Sequence, residues 1–115
     1  MSCEILIYNV AVRRKFKKNK TLDFFDDHEN IVPFRKNKKE ELKNKLINSG
    51  YKEICERNGI VSFEYLNDDS EMVTLTNKFL QFKSIGNSDI IYKLSKEIIG
   101  DKLLTRYDPH LGSWD

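Results

Sequence analysis

His28 stands beside Asp26, Asp27 and Glu29, and His110 beside Asp108, so each histidine has a nearby carboxylate that could orient an imidazole for proton transfer or share a metal ion. Neither histidine sits in an HxH or HExxH spacing, and neither has a cysteine partner. Both therefore read as members of polar loops, with no metal and no cofactor expected. Cys3 lacks the electropositive helix start that lowers a thiol pKa, and no serine, Ser88 included, occupies a nucleophile elbow. The five glycines form neither GxGxxG nor GxxxxGKS/T and read as helix stops and turns. The chain is accordingly expected not to be an enzyme and to have no small-molecule substrate.

Binding chemistry is better represented. Arg13, Arg14, Lys15, Lys17, Lys18 and Lys20 surround Phe16, a composition in which cations can track a phosphate backbone and an aromatic ring can stack on a base. The next segment is of opposite sign. Asp23, Asp26, Asp27 and Glu29 accompany Phe24 and Phe25, and a second acidic group follows at Asp68, Asp69 and Glu71. Carboxylates with aromatics suit contact with a basic cleft on another protein, since complementary potentials speed association while buried rings supply affinity. The same phenylalanines could instead serve only to pin the loop. Net charge is only +2, but it is segregated: six basic groups against one acid in Met1–Lys20, then four acids and no base in Thr21–Asn30. Ile31–Ile60 returns to eight bases against four acids, and Val61–Leu75 carries four acids and no base.

The elements that would carry these groups can be placed from pattern. Glu4–Val12 reads as a strand apolar on both faces and so interior to a sheet, and Arg13–Lys20 as a loop or extended strand end. The acidic segment reads as a short helical turn or a looped excursion held by its two phenylalanines. Asn37 with Glu40 makes a capping box opening a helix over Asn37–Ser49, with Ile31-Val32-Pro33-Phe34 packing on its first turn. Leu42, Leu46 and Ile47 form its apolar stripe, and Gly50 gives a left-handed stop. Asn58-Gly59 between Tyr51–Arg57 and Ile60–Leu66 predicts a tight hairpin. Asn67-Asp68-Asp69-Ser70 reads as a turn, and Glu71–Ser84 as one strand with a bulge near Asn77-Lys78. Asn87-Ser88 caps a second, more deeply buried helix over Ser88–Ile99, and Lys102–Tyr107 is the last strand.

This order, β-α-β-β-β-α-β, predicts one α+β domain over residues 1–115: a ferredoxin-like two-layer sandwich whose mostly antiparallel sheet carries two helices on one face. A chain of 115 residues, 39% hydrophobic, can bury one adequate core without staples, and Cys3 and Cys55 are expected to be free thiols and small buried apolar groups. No apolar run approaches the roughly 18 residues of a membrane span, so a cytoplasmic location with no membrane partner is expected.

The short Lys/Asn/Ile-rich chain, its strand and helix order, the Ser49-Gly50-Tyr51 exit from the first helix and the closing Tyr107-Asp108-Pro109-His110 together resemble small bacterial immunity proteins of contact-dependent growth-inhibition and related polymorphic toxin systems. The closing tetrapeptide is similar to the Asp-Pro-Gln ending of several such families. The resemblance implies tight stoichiometric binding and neutralisation of a cognate toxin protein, such as a nuclease effector. It does not say which residues make the contact, because interfaces differ between members. Many immunity proteins against basic nucleases are acidic, whereas this chain is slightly basic. The contact would then use the local acidic groups Asp23, Asp26, Asp27, Glu29, Asp68, Asp69 and Glu71 together with Phe24, or address a toxin of different charge. The alternative is a small nucleic-acid-binding regulator using residues 13–20, the only case in which nucleic acid is a partner.

Overall fold

Ile5 and Ile7 point to one side of the first strand, β1 (Ser2–Asn9), and Leu6 and Tyr8 to the other. Both sides are covered, as an interior strand requires. The computed structural model describes residues 2–19, 24–65, 68–85, 89–100, 102–109 and 112–114, with 2–3, 28, 68–71, 85 and 89–90 described by backbone alone. Its architecture is α+β: a seven-stranded, fully antiparallel open sheet with three helices. After β1 come α1 (Val10–Lys18), two single-turn 3₁₀ helices (Phe24–Asp26 and His28–Asn30) and α2 (Lys36–Asn48). A meander follows, β2 (Tyr51–Arg57), β3 (Ile60–Tyr65), β4 (Asp68–Leu75) and β5 (Phe79–Ile85), then α3 (Asp89–Ile98), β6 (Leu104–Asp108) and β7 (Ser113–Trp114). The spatial order is β2-β3-β4-β5-β1-β6-β7, so β1 is inserted between β5 and β6.

The main core lies on the Ile5/Ile7 side. There Ile5 faces Phe82 and Ile7 faces Leu80 across the β1–β5 ladder, and Val73, Leu75, Val61 and Phe63 continue the same surface. Helices α2 and α3 both close it, through Leu42 and Leu46 and through Ile91, Leu94 and Ile98. On the opposite side, Tyr8 packs with Val12 of α1, Phe24 and Ile31 in a second core. Phe34 belongs to the first core and Ile31 to the second, so the short segment between the 3₁₀ turns and α2 is held on both sides of the sheet.

Several local expectations hold. Asn58 at φ 55 and Gly59 at φ 80 supply the two positive-φ positions of a type I′ hairpin. Gly50, at φ 98, is the left-handed exit from α2. Others are corrected by tertiary contacts. The segment after β1 is helical from Val10, because the Asn9 side chain accepts from the Ala11 amide at 3.0 Å, and Val12 and Phe16, one turn apart, meet an apolar surface. Helix α2 begins at Lys36 with Arg35 as N-cap and no side-chain cap bond, not at a capping box on Asn37. Phe34 fixes that entry, being buried and donating its amide to the Asn77 carbonyl at 2.8 Å.

The expected single strand over Glu71–Ser84 is two strands. Thr76 accepts at Oγ1 from the Lys78 and Phe79 amides and closes a turn where a bulge was expected. Asp68–Ser70 is strand rather than turn, and Ile47 is about half exposed, outside the buried stripe. Cys55 is a free thiol but exposed, because it lies on the edge strand β2, whose residues beyond Tyr51 are all exposed. The Cys3 side chain and the Asn87-Ser88 cap lie outside the described residues.

Polar bonds tie the layers. Lys39 of α2 donates to the Gly59 carbonyl and to Asn77 Oδ1, both at 2.8 Å, clamping the β2–β3 and β4–β5 turns together. On α3, Arg106 of β6 donates to Ser95 Oγ at 3.0 Å, and Tyr92 donates to Asp108 at 3.3 Å.

Gly50 gives the fold a direct test. A Cβ there would stand 3.2 Å from the Tyr65 ring and would also have to adopt positive φ. Gly50→Ala should therefore lower unfolding free energy by about 1 kcal/mol or more in a urea melt. Gly112→Ala, at φ 64 with nothing within 4 Å, should lose less. Equal losses would show that the tyrosine contact contributes nothing.

Candidate interaction surfaces

Seven rings converge on the second face of the sheet. Tyr8, Phe79, Tyr107 and Trp114 come from the strands, Phe16 from α1, and Phe24 and Phe25 from the first 3₁₀ turn. The centroid separations are 4.7 Å for Tyr107–Trp114, 4.9 Å for Phe25–Tyr107, 5.1 Å for Phe24–Phe25 and 5.2 Å for Phe16–Phe24. The last two pairs meet edge to face, a favoured arrangement of ring quadrupoles. This cluster positions both charged segments that the sequence singles out.

The acidic segment forms a ledge over the cluster. Phe24 is buried beneath it, so of the residues expected to face a partner it serves as an anchor and not as a contact. Asp26, Asp27 and Glu29 are exposed. Their backbone is held by several bonds: Asp27 Oδ1 accepts from the Glu29 amide at 3.0 Å, Asn30 donates through Nδ2 to the Phe24 carbonyl at 3.0 Å, and the Asn30 amide reaches the Asp27 carbonyl at 3.1 Å. Asp23 lies outside the described residues.

The other acidic group is not brought to this place. The backbone of Asp68, Asp69 and Glu71 lies at the start of β4, where Glu71 pairs with Ser84 and Ser84 with Cys3. The aromatic cluster gathers at Tyr8 and Phe79, five residues farther along β1, or roughly 17 Å at the usual strand rise. The side chains of Asp68, Asp69 and Glu71 are outside the described residues.

Helix α1 carries the basic segment next to the ledge. Arg14, Lys15, Lys17 and Lys18 are exposed and Arg13 is half-buried. Lys15 Nζ donates to the Glu29 carbonyl at 2.7 Å, tying helix and ledge together. Phe16, expected to stack on a base, packs instead against Phe24, Phe25 and Trp114. Lys20 is outside the described residues. The sequence reading missed a further feature: Arg14 shares a cleft with Arg35, Lys38 and Lys102, cations distant in the chain that only the fold assembles.

Of the groups considered for catalysis, the side chains of His28 and His110 are outside the described residues. Among the described residues, no three His, Cys, Asp or Glu side chains gather as metal ligands. Among the same residues, no helix is long and apolar enough to cross a membrane.

Burial first, then the neighbouring Tyr107 and Glu4, push the Tyr8 phenol well above its ordinary value of 10.0. A folded-state pKa above the unfolded one gives stability that is fully present below pH 10.0 and lost as pH rises toward the raised value. Tyr8→Phe should remove one proton from this linkage. Urea melts at roughly pH 9 and pH 11 should show the wild type losing more stability than the variant, by up to about 1.4 kcal/mol per pH unit above 10. Parallel losses would show that Tyr8 does not titrate differently on unfolding.

Compared with the models of known protein families and with curated proteins, the chain matches none.

Proposed function

We propose that this chain is an immunity-type binding protein, one that neutralises a cognate protein toxin in the cytoplasm by stoichiometric contact and without catalysis. One observation carries the reading: exposed Asp26, Asp27 and Glu29 stand on a ledge whose backbone is cross-bonded and whose Phe24 is driven into an aromatic core. A backbone held in this way loses little freedom on binding, and the field of the carboxylates it carries favours a basic surface such as the substrate groove of a nuclease. The sheet supports the same reading. The succession β4-β5-β1-β6, with a helix before β4 and another between β5 and β6, suits a ferredoxin-like core extended by the β2–β3 hairpin. We therefore keep that finer fold as part of the proposal.

The test is co-expression with candidate toxins, beginning with the product encoded next to this gene, scored by co-purification and by loss of toxicity. A one-to-one complex that abolishes toxicity is expected. The triple variant Asp26→Lys/Asp27→Lys/Glu29→Lys should slow association about tenfold or more at low salt, by removing steering, while melting as the wild type does. Wild-type association by a correctly folded triple variant would overturn the assignment of the ledge.

A second reading, a small nucleic-acid-binding regulator, is favoured by the outward display of Arg14, Lys17 and Lys18 on α1. Retention of single-stranded DNA or RNA that weakens steeply with salt, and is lost when all three are changed to Gln, would support it. Absence of retention at low ionic strength would remove it.

A further inference from the structure

A cleft of about 240 Å³ lies where α1, α2 and the segment before β6 meet. Among the described residues its lining includes Arg14, Arg35, Lys38 and Lys102 and no carboxylate. The walls are joined to one another. The Val10 amide donates to the Leu103 carbonyl at 2.9 Å, which binds the start of α1 to the β6 approach. Asn9 Nδ2 donates to the Pro33 carbonyl at 3.2 Å, which binds the same corner to the entry of α2. Phe34 and Leu104, both buried, form the apolar floor.

Two further features favour negative charge there. First-turn residues of two helices line the cleft, Val10 and Ala11 of α1 and Lys38 of α2, so the positive ends of both macrodipoles add to the side-chain charge. The N-cap of α2, Arg35, makes no side-chain cap bond, so its own side chain does not take the acceptor place at that helix start. Lys38 also bonds to an acid, Glu41 at 2.8 Å on the next turn. Like charges gathered around one small concavity repel one another, and a dianion relieves that repulsion while accepting from two or more of them.

We propose that this cleft is a binding site for the phosphoryl group of a small phosphorylated molecule. The volume is below that of pockets for drug-sized ligands, which suits a phosphate or diphosphate with little attached. Arg35 and Lys102 grip the anion from opposite segments, and Arg14 supplies a third donor from α1. The site is separate from the acidic ledge and does not depend on the toxin-binding reading.

Isothermal calorimetry with pyrophosphate, at ionic strength held constant with chloride, tests it directly. The wild type should bind one pyrophosphate saturably, and Arg35→Gln/Lys102→Gln should weaken binding about tenfold or more, as loss of charge-assisted bonds does. Lys45→Gln/Lys52→Gln, an equal change of net charge at exposed positions elsewhere, should bind as the wild type does. Thermal melts without ligand check that all three proteins are folded, and melts with pyrophosphate should show the rise that binding to the native state produces. No saturable binding, or equal weakening in both double variants, would overturn the site. Tighter binding of a single-stranded oligonucleotide than of pyrophosphate, lost in Arg35→Gln/Lys102→Gln, would also overturn it and give the cleft to nucleic acid.

Discussion

The structure depends on burying both faces of β1. Ile5 and Ile7 on one side and Tyr8 with Leu6 on the other cannot be sheltered by one layer of helices, so the strand must lie inside the sheet with packing above and below. Antiparallel pairing with β5 and β6 satisfies its backbone. Helices α2 and α3 then occupy one side, and the other is left for α1, the 3₁₀ turns and the final tryptophan. The acidic ledge and the basic face of α1 are both held by the second of these coverings.

The second face shows how an apolar requirement places polar groups. Phe16 and Phe24 meet edge to face because α1 and the first 3₁₀ turn must both descend onto Tyr8. Their flanking residues are forced outward as a consequence, cations from the helix and carboxylates from the turns. The Lys15 bond to the Glu29 carbonyl lies at the seam between them. Opposite charges that are consecutive blocks in the chain thus become adjacent, separately presented surfaces, each backed by the same rings.

The far side of the sheet is governed by a different constraint, protection of an open edge. Strand β2 buries only Tyr51, and its remaining residues are exposed. Lys52, Glu53, Glu56 and Arg57 lie along that edge, and the ladder slips between Glu53 and Cys55, so charge and irregular pairing both discourage a further strand from adding there. Lys43 of α2 reaches Glu53 at 2.9 Å, and both groups are solvent-accessible, so the pair contributes well under about 1 kcal/mol. The opposite edge ends in β7, two residues long.

Sequence alone determined what depends on neighbouring residues. The Asn58-Gly59 hairpin was legible because both residues tolerate positive φ, the stop at Gly50 for the same reason, and α3 from the spacing of Ile91, Leu94 and Ile98. The interior position of β1 followed from apolar residues on both of its faces. Tertiary structure decided the rest. Cations outnumber apolar residues in the segment after β1, so its helicity was hidden: Val12 and Phe16 become a helix face only when Tyr8 and the 3₁₀ turns offer a surface to meet. Phe24 and Phe25 were seen as either anchors or contacts, and only the aromatic core made Phe24 an anchor. The start of α2 moved because Phe34 bonds to Asn77, far away in the chain. The two acidic groups were alike in composition but their backbones were set apart along β1, whereas Arg14, Arg35, Lys38 and Lys102, unrelated in the sequence, were gathered at one cleft. Local conformational preference can be read along a chain, but which side chains share a surface depends on strand order, and strand order is set by long-range burial.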